Sequence, residues 1–255
     1  MKLMNTHLHA ISVIAEKTIK MDIVIEKKLL ETIRPGQFVY IQIGSSSEHM
    51  LRRPISIADV DIEKELLTLV YKELGEGTRK LSQLKKGDPL NLLIPCGNGY
   101  RIDQLQLSHA LLIGGGIGVP PLYYLAKKLV EKGIKVTTII GFQSKEDVFF
   151  EEEFKGLGDC FVTTNDGSYG QQGYVTDSIE KEQPEFDNYF ACGPNPMLKA
   201  IELKLTDKKG FLSLEERMGC GIGACYACVV PTKDEKGSKK ICQDGPVFSA
   251  GEVKI

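Results

Sequence analysis

Short apolar runs broken by turns fill the first hundred residues. The stretches "HAISVIAEKTIKMDIVIEKK", "GQFVYIQIG", "RPISIADV", "ELLTLVYKE" and "DPLNLLIP" are rich in Val, Ile and Tyr, and "RPGQ", "KKGD" and "CGNG" carry the turn residues. This pattern predicts strands of an antiparallel barrel or sandwich. From about Ser108 the rhythm changes: the apolar run "ALLIGGG" leads through glycines into the helical stretch "PPLYYLAKKLVEKG", followed by a strand "KVTTIIGF". Later "NYFACG" reads as another strand and "PMLKAIELKL" as another helix. Strands alternating with helices of these lengths predict a parallel sheet with helices on its faces. After about Lys209 a cysteine-bearing segment forms a small unit of its own.

The chain has 255 residues with 42% hydrophobic content, enough to bury a large core. At ~150 residues per domain the length predicts two domains with room for a small third. The divisions expected are 1–103, 104–210 and 211–255. Basic and acidic residues, 32 and 34, are interspersed for a net charge of -2, so no footprint for nucleic acid or anionic lipid stands out. The opening "MKLMNTHLHAISVIAEK" has no uninterrupted apolar core with a cleavage site, and no later run approaches the ~18 apolar residues of a membrane span. The expectation is a cytoplasmic protein, with no membrane or nucleic-acid partner and with reduced thiols.

Four of the seven cysteines lie in "CGIGACYACVVPTKDEKGSKKIC". Cys220, Cys225, Cys228 and Cys242 follow C-x4-C-x2-C-x13-C, whereas structural zinc sites show two short C-x2-C pairs. The spacing matches plant-type [2Fe-2S] ligation, with zinc or free thiols as the competing readings. The small residues Gly219, Gly221, Gly223, Ala224 and Ala227 would let backbone N–H groups approach negatively charged sulfurs. The intervening "KDEKGSKK" reads as a solvated hairpin turn.

Other stretches admit two readings each. "LLIGGGIGVPPL" is a nucleotide-binding turn or a tight structural one, since it fails the strict G-x-G-x-x-G test and no acidic residue stands at the tip of the next strand. Beyond that strand, Ser144 and Lys145 would accept a 2′-phosphate while Glu146 and Asp147 would repel one, which leans to NAD. In "GEGTRKLSQL", Thr78 would cap a helix starting at Arg79. "RRPISI" offers Arg53 to a phosphate and Ser56 as a hydroxyl donor, or is an edge strand with a surface arginine. Alternation would put Arg53 and Ile55 on one face and Pro54 and Ser56 on the other, unless the proline bends the strand. Cys192 in "FACGPNPM" is by itself a small core residue. His7, His9, His49 and His109 show no ligand spacing.

In this order, "RPIS", "GEGT", "GGGIGVPP" and "CGPNPM" resemble the ferredoxin reductase family over essentially the whole chain. The resemblance implies an antiparallel FAD-binding β-barrel, a Rossmann-like parallel α/β NAD domain and a small C-terminal [2Fe-2S] domain. It implies that Arg53 contacts the FAD pyrophosphate together with Gly77 and Thr78. Pro54, Ile55, Val70, Tyr71 and Lys72 would add flavin contacts. Ser56 would lie near the flavin's reactive edge, and Gly114, Gly115, Gly116 and Gly118 would form the nicotinamide nucleotide loop. Cys192 and Gly193 would sit beside the nicotinamide, so that Ser56 and Cys192 are the expected catalytic positions.

Two departures stand out. Many relatives carry a flavin-stacking tyrosine where this chain has Ile55, and simpler members end in an aromatic residue where this chain runs on into the cluster unit. Within the family, "GFQSKEDVFFEEEF", "TTNDGSYGQQGYVTD" and "LSLEERMGCGIGACYACVV" resemble electron transfer subunits serving a separate FMN-containing catalytic subunit, two of each in a heterotetramer. A related flavin and iron-sulfur subunit of a hydrogenase or a ferredoxin:NADP oxidoreductase is the alternative.

Overall fold

The computed structural model describes residues 1–44 and 49–255. Six strands, β1 (Lys2–Ala15), β2 (Thr18–Val24), β3 (Phe38–Ile41), β4 (Arg53–Asp61), β5 (Leu66–Lys72) and β6 (Pro89–Cys96), close into a barrel in the order β1-β2-β5-β4-β3-β6. Every neighbouring pair is antiparallel. Period-two alternation builds its interior: Ile19, Met21 and Ile23 of β2 meet Leu67, Leu69 and Tyr71 of β5 inside. Two short helices, α1 (Lys27–Leu30) and α2 (Glu76–Ser82), sit in the connections.

The second half winds β7 (His109–Gly115), α3 (Val119–Glu131), β8 (Lys135–Phe142), α4 (Glu151–Lys155), β9 (Asp159–Thr164), β10 (Gln171–Gln172), α5 (Val175–Glu182), β11 (Asn188–Cys192), α6 (Asn195–Lys204) and β12 (Lys209–Ser213). The segment beyond contributes a hairpin, β13 (Val229–Pro231) with β14 (Ser238–Lys240), and a last strand β15 (Val247–Ser249). The sheet order is β10-β9-β8-β7-β11-β12-β15, parallel except for β15. β7 is central and, after His109, buried throughout, as a strand covered on both faces must be.

The barrel and sheet meet at α3. Tyr124 of α3 belongs to the barrel's own core cluster, and its hydroxyl donates to the Ile33 carbonyl at 3.3 Å. Lys127 of the same helix pairs with Asp59 of β4 at 2.7 and 2.8 Å, and Lys72 of β5 reaches Asp147 beyond β8 at 2.6 Å. These ion pairs keep 13–33% of their side-chain surface exposed, and pairs that solvent still reaches contribute ~0.2–1 kcal/mol each. Burying one large apolar side chain contributes ~1.5–3 kcal/mol, so the seating of α3 is the stronger bond between the halves.

The 210/211 division expected from composition falls inside β12, and β15 from the cysteine segment adds to the same sheet edge. Composition changes where the cysteines begin, but an exposed sheet edge attracts any neighbouring strand that can cover it. The 103/104 division lies within the 3-10 turn Ile102–Gln104 between barrel and sheet.

Gly210 illustrates how tightly β11 and β12 are fitted. A methyl at this position would stand 2.2 Å from Cε1 and Cζ of Tyr189, whose ring crosses the glycine. Gly210→Ala is expected to cost ~1–3 kcal/mol by overpacking, read as a lower urea midpoint. An unchanged midpoint would show that the Tyr189 ring yields freely.

Candidate functional site

The first pocket opens on the barrel rim, with a volume of ≈ 210 Å³. Arg53, Pro54, Ile55, Ser56, Val70, Tyr71, Lys72 and Thr78 all line it. Four consecutive residues of β4 thus reach one cavity, while Ile55 and Ile57 still alternate into the barrel core. Gly77 has no atoms on the wall, yet it leaves the space for a guanidinium. A methyl there would lie 3.1 Å from Arg53 Nε and 3.2 Å from Nη2.

Neighbouring arginines divide their work. Arg52 donates to the backbone carbonyls of Tyr40 and Asn91 at 3.3 and 3.0 Å and to the side chains of Gln42 and Asn91, which spends it on the barrel. Arg53 is the one at the cavity. The helix expected from Arg79 begins instead at Glu76, because Thr78 Oγ1 reaches back, accepting from the N–H groups of Leu74 and Gly75 at 3.0 and 3.2 Å. Lys72 is already paired with Asp147. Ile55 is buried in the barrel core, so an aromatic face comes from elsewhere: Phe38 and Tyr71 are the rings on the wall. Burial pushes the Tyr71 hydroxyl up to about 12.

A second pocket, of ≈ 510 Å³, lies at the carboxyl ends of the sheet strands. Gly115 and Gly116 line it, with Phe142, Gln143, Thr163, Asn165 and Tyr174 across the cavity and Pro194, Pro196 and Met197 along one side. No charged side chain is on its wall. Gly116 takes φ +52, and the backbone here is bare at the N-terminus of the thirteen-residue α3, the arrangement that accepts a pyrophosphate. Gly114, Gly118, Cys192 and Gly193 stand behind the wall. A methyl on Gly118 would be 2.3 Å from the Cys192 carbonyl oxygen and 2.5 Å from the Gly193 nitrogen, so the glycine lets the two loops touch. The Cys192 thiol is buried and is pushed up strongly, by burial first and by the Glu215 charge second. Burial thus favours the protonated thiol. Ser144, Lys145, Glu146 and Asp147 lie off this wall, with Asp147 turned to Lys72.

The two pockets share the glycine loop. Gly115 and Gly116 face one, and Ile117, the next residue, faces the other.

The cysteine loop is organised as a cage of N–H donors. Ile222, Ala224 and Cys225 donate to Cys220 Sγ at 3.4, 3.2 and 3.3 Å, Cys220 to Cys225 Sγ at 3.3 Å, Gly223 to Cys242 Sγ at 3.2 Å and Cys242 to Cys228 Sγ at 3.4 Å. Burial pushes the Cys220 thiol up, but the N–H groups of Ile222, Cys225 and Ala224 together with the Cys225 side chain outweigh it and bring the thiol down to about 6. Donors aimed at the Cys220 sulfur favour its thiolate, the form that ligates metal, whereas burial and then the Cys228 side chain push Cys242 up to about 12. Gly221 at φ +71 and Gly223 at φ +81 supply the turns. Among the described residues no three His, Cys, Asp or Glu side chains gather round a single ion. A two-iron cluster spreads its four thiolates over two metals and does not need such a point.

Motif reading missed part of the barrel pocket. Ser213, Leu214, Glu215, Glu216 and Met218 line it, and Pro246 closes it from beyond the last cysteine. Five of them fall in "LSLEERM", which ends two residues before the first ligand, Cys220, and Pro246 has no local signal. In the sheet pocket, Tyr174 and Thr176 come from the start of α5, a helix that the apolar pattern did not single out.

A family model for the iron-sulfur cluster binding domain of dihydroorotate dehydrogenase B matches residues 215–254, and one for an oxidoreductase NAD-binding domain matches 112–203. The dihydroorotate dehydrogenase B (NAD(+)) electron transfer subunit of Bacillus pumilus is 52% identical over 222 residues, 86% of each chain. That of Geobacillus sp. strain WCH70 is 52% identical over 224 residues, 87% of each. The chain belongs to this family of electron transfer subunits. It is an oxidoreductase subunit of ferredoxin reductase fold. A solved structure of an NADH-dependent reduced ferredoxin-NADP oxidoreductase superposes with TM-score 0.86 at 32% identity, covering 98% of this chain and 89% of that one. A ferredoxin NADP+ reductase from Neisseria gonorrhoeae shares the fold at TM-score 0.70 and 14% identity, covering 81% and 92%.

Gly118→Ala tests the contact between the two nucleotide loops. Its methyl has backbone rather than a mobile side chain in its way, so the loops must part. The KM for NADH is expected to rise at least about tenfold while the flavin spectrum stays unchanged. A wild-type KM would mean that the loops need not touch.

Proposed function

We propose that this subunit carries electrons from an FMN-containing dihydroorotate dehydrogenase catalytic subunit to NAD+, through [2Fe-2S] and then FAD, in de novo pyrimidine (UMP) biosynthesis. The assembly would be a cytoplasmic heterotetramer with two of each chain. The segments 1–103, 104–210 and 211–255 would hold FAD, NAD and the cluster in turn. Among the described residues no helix is long and apolar enough to cross a membrane.

The observation that carries this reading is the shared wall. One loop faces a barrel pocket on one side and a sheet pocket on the other, and the peptide that completes the barrel pocket continues into the cysteine cage. Bound FAD supplies the exchange between single electrons and a hydride, chemistry that needs aligned rings and no protein acid or base for the transfer itself. Arg53, with Gly77 and Thr78, would hold its pyrophosphate. Ser56, Val70 and Tyr71 would frame the ring, and Gly115 and Gly116 would hold the nicotinamide nucleotide. Cys220, Cys225, Cys228 and Cys242 would hold the irons. A partner-facing side is supported by the cluster loop itself, where Ile222 and Tyr226 are exposed and the Lys240 ammonium lies 3.9 Å from the Tyr226 ring centroid.

The ferredoxin:NADP oxidoreductase reading keeps support from the 32% identical structure, but the curated relatives at about 50% identity favour the dihydroorotate system. Purified alone, the full chain is expected to oxidise NADH with an artificial acceptor and to show no dihydroorotate turnover. Turnover by the isolated chain would refute the need for a catalytic partner. With no cation on the sheet pocket wall, NADH is expected to exceed NADPH in kcat/KM by at least about tenfold, because a 2′-phosphate would be buried uncompensated. Equal values would contradict this.

A further inference from the structure

Tyr40 is a barrel residue with its working end in the cluster unit. It lies on β3, is 1% exposed, and pairs across the ladder with Pro54 of the flavin-pocket strand. Its hydroxyl has one proton and two acceptors, the carbonyls of Gly219 at 2.8 Å and Met218 at 3.0 Å, in a bifurcated bond. Gly219 directly precedes the first cluster ligand, and Met218 lines the barrel pocket. The ring also supports the loop from below: a methyl on Gly221 would stand 2.6 Å from Tyr40 Cδ1.

Beyond Cys242 a second anchor reaches the same side of the barrel. Asn98, just past β6, donates through Nδ2 to the Gln243 carbonyl at 2.9 Å and through its N–H to the Gly245 carbonyl at 2.6 Å. β3 and β6 are paired neighbours, so both ends of the cysteine segment are tied to one pair of strands. Asn98 fixes the far end through peptide groups outside the ligands. Tyr40 fixes the near end between a pocket residue and a ligand, which makes it the more direct link.

We propose that Tyr40 is a positioning residue for the iron-sulfur cluster, its hydroxyl holding the Met218–Gly219 peptide so that the N–H cage stays closed and seated against the flavin pocket. The Tyr40 hydroxyl donates to backbone carbonyls rather than to sulfur and acts through the peptide it holds. This inference rests on the cofactor assignment above.

Tyr40→Phe removes one oxygen and keeps the ring. In the full chain purified anaerobically with both cofactors, iron release to a ferrous chelator is expected to quicken about tenfold or more, as for other outer contacts of metal sites. The g-values of the reduced cluster in EPR are expected to shift, while the rate of flavin reduction by NADH stays at wild type. Tyr189→Phe, which removes a buried hydroxyl that holds no peptide of the cysteine loop, is expected to change none of these. Iron release and g-values at wild-type levels in Tyr40→Phe would overturn the proposal. If Tyr40→Phe does not accumulate, Gly221→Ala presses on the same ring from the loop side. It is expected to speed iron release with flavin retained, and wild-type release would again overturn the proposal. A wild-type chain that holds no iron would instead sink the cofactor assignment.

Discussion

The peptide from Ser213 to Cys220 has to satisfy three neighbours at once. Its first residue ends β12 in the parallel sheet, its middle lines the barrel pocket, and its last is a cluster ligand. A chain so constrained has little freedom to slide, because moving any one contact displaces the other two. The barrel answers with Tyr40 and the sheet answers with β15, which pairs with β12 and returns the chain to its edge. Three sites thus share one short stretch of backbone, and their relative placement follows from strand register rather than from linker length.

Close backbone approach is the second theme. Gly118 lets the nucleotide loop touch the Cys192–Gly193 turn, Gly77 makes room for Arg53, and Gly221 lies on the Tyr40 ring. At Gly118 and Gly221 a methyl would push against backbone or a buried ring that cannot move far, whereas at Gly77 it would press on the mobile end of Arg53. Ion pairs such as Lys72–Asp147 and Lys127–Asp59 join the halves too, but their screened contribution is smaller than the burial of Tyr124 in the barrel core.

Much of this was legible because the chemistry is local in sequence. The cysteine spacing, the glycines before α3 and the run "RPIS" each carry their meaning within a few residues, and the period-two and strand–helix rhythms place them on a barrel and a sheet. What was not legible depends on contacts far along the chain. Nothing in "QFVYIQ" says that Tyr40 meets residues 218 and 219, and Pro246 reaches the barrel pocket only because β15 folds back. The adjacent arginines look alike in sequence, yet Asn91 and Gln42 claim Arg52 and leave Arg53 to the cavity. Thr78 lies inside the first turn of α2 rather than capping a helix from Arg79, because in the folded turn its hydroxyl reaches back to Leu74 and Gly75. The β12 strand was hidden because its five residues, "KGFLS", lie where composition was already changing.

The central claim is that a flavin pocket and a two-iron cage stand on one peptide of this chain. The most direct test is anaerobic purification of the full chain followed by iron, sulfide, zinc and flavin analysis with an absorption spectrum. Two irons, two sulfides and one FAD per chain are the result this account predicts. Zinc with no flavin would contradict it.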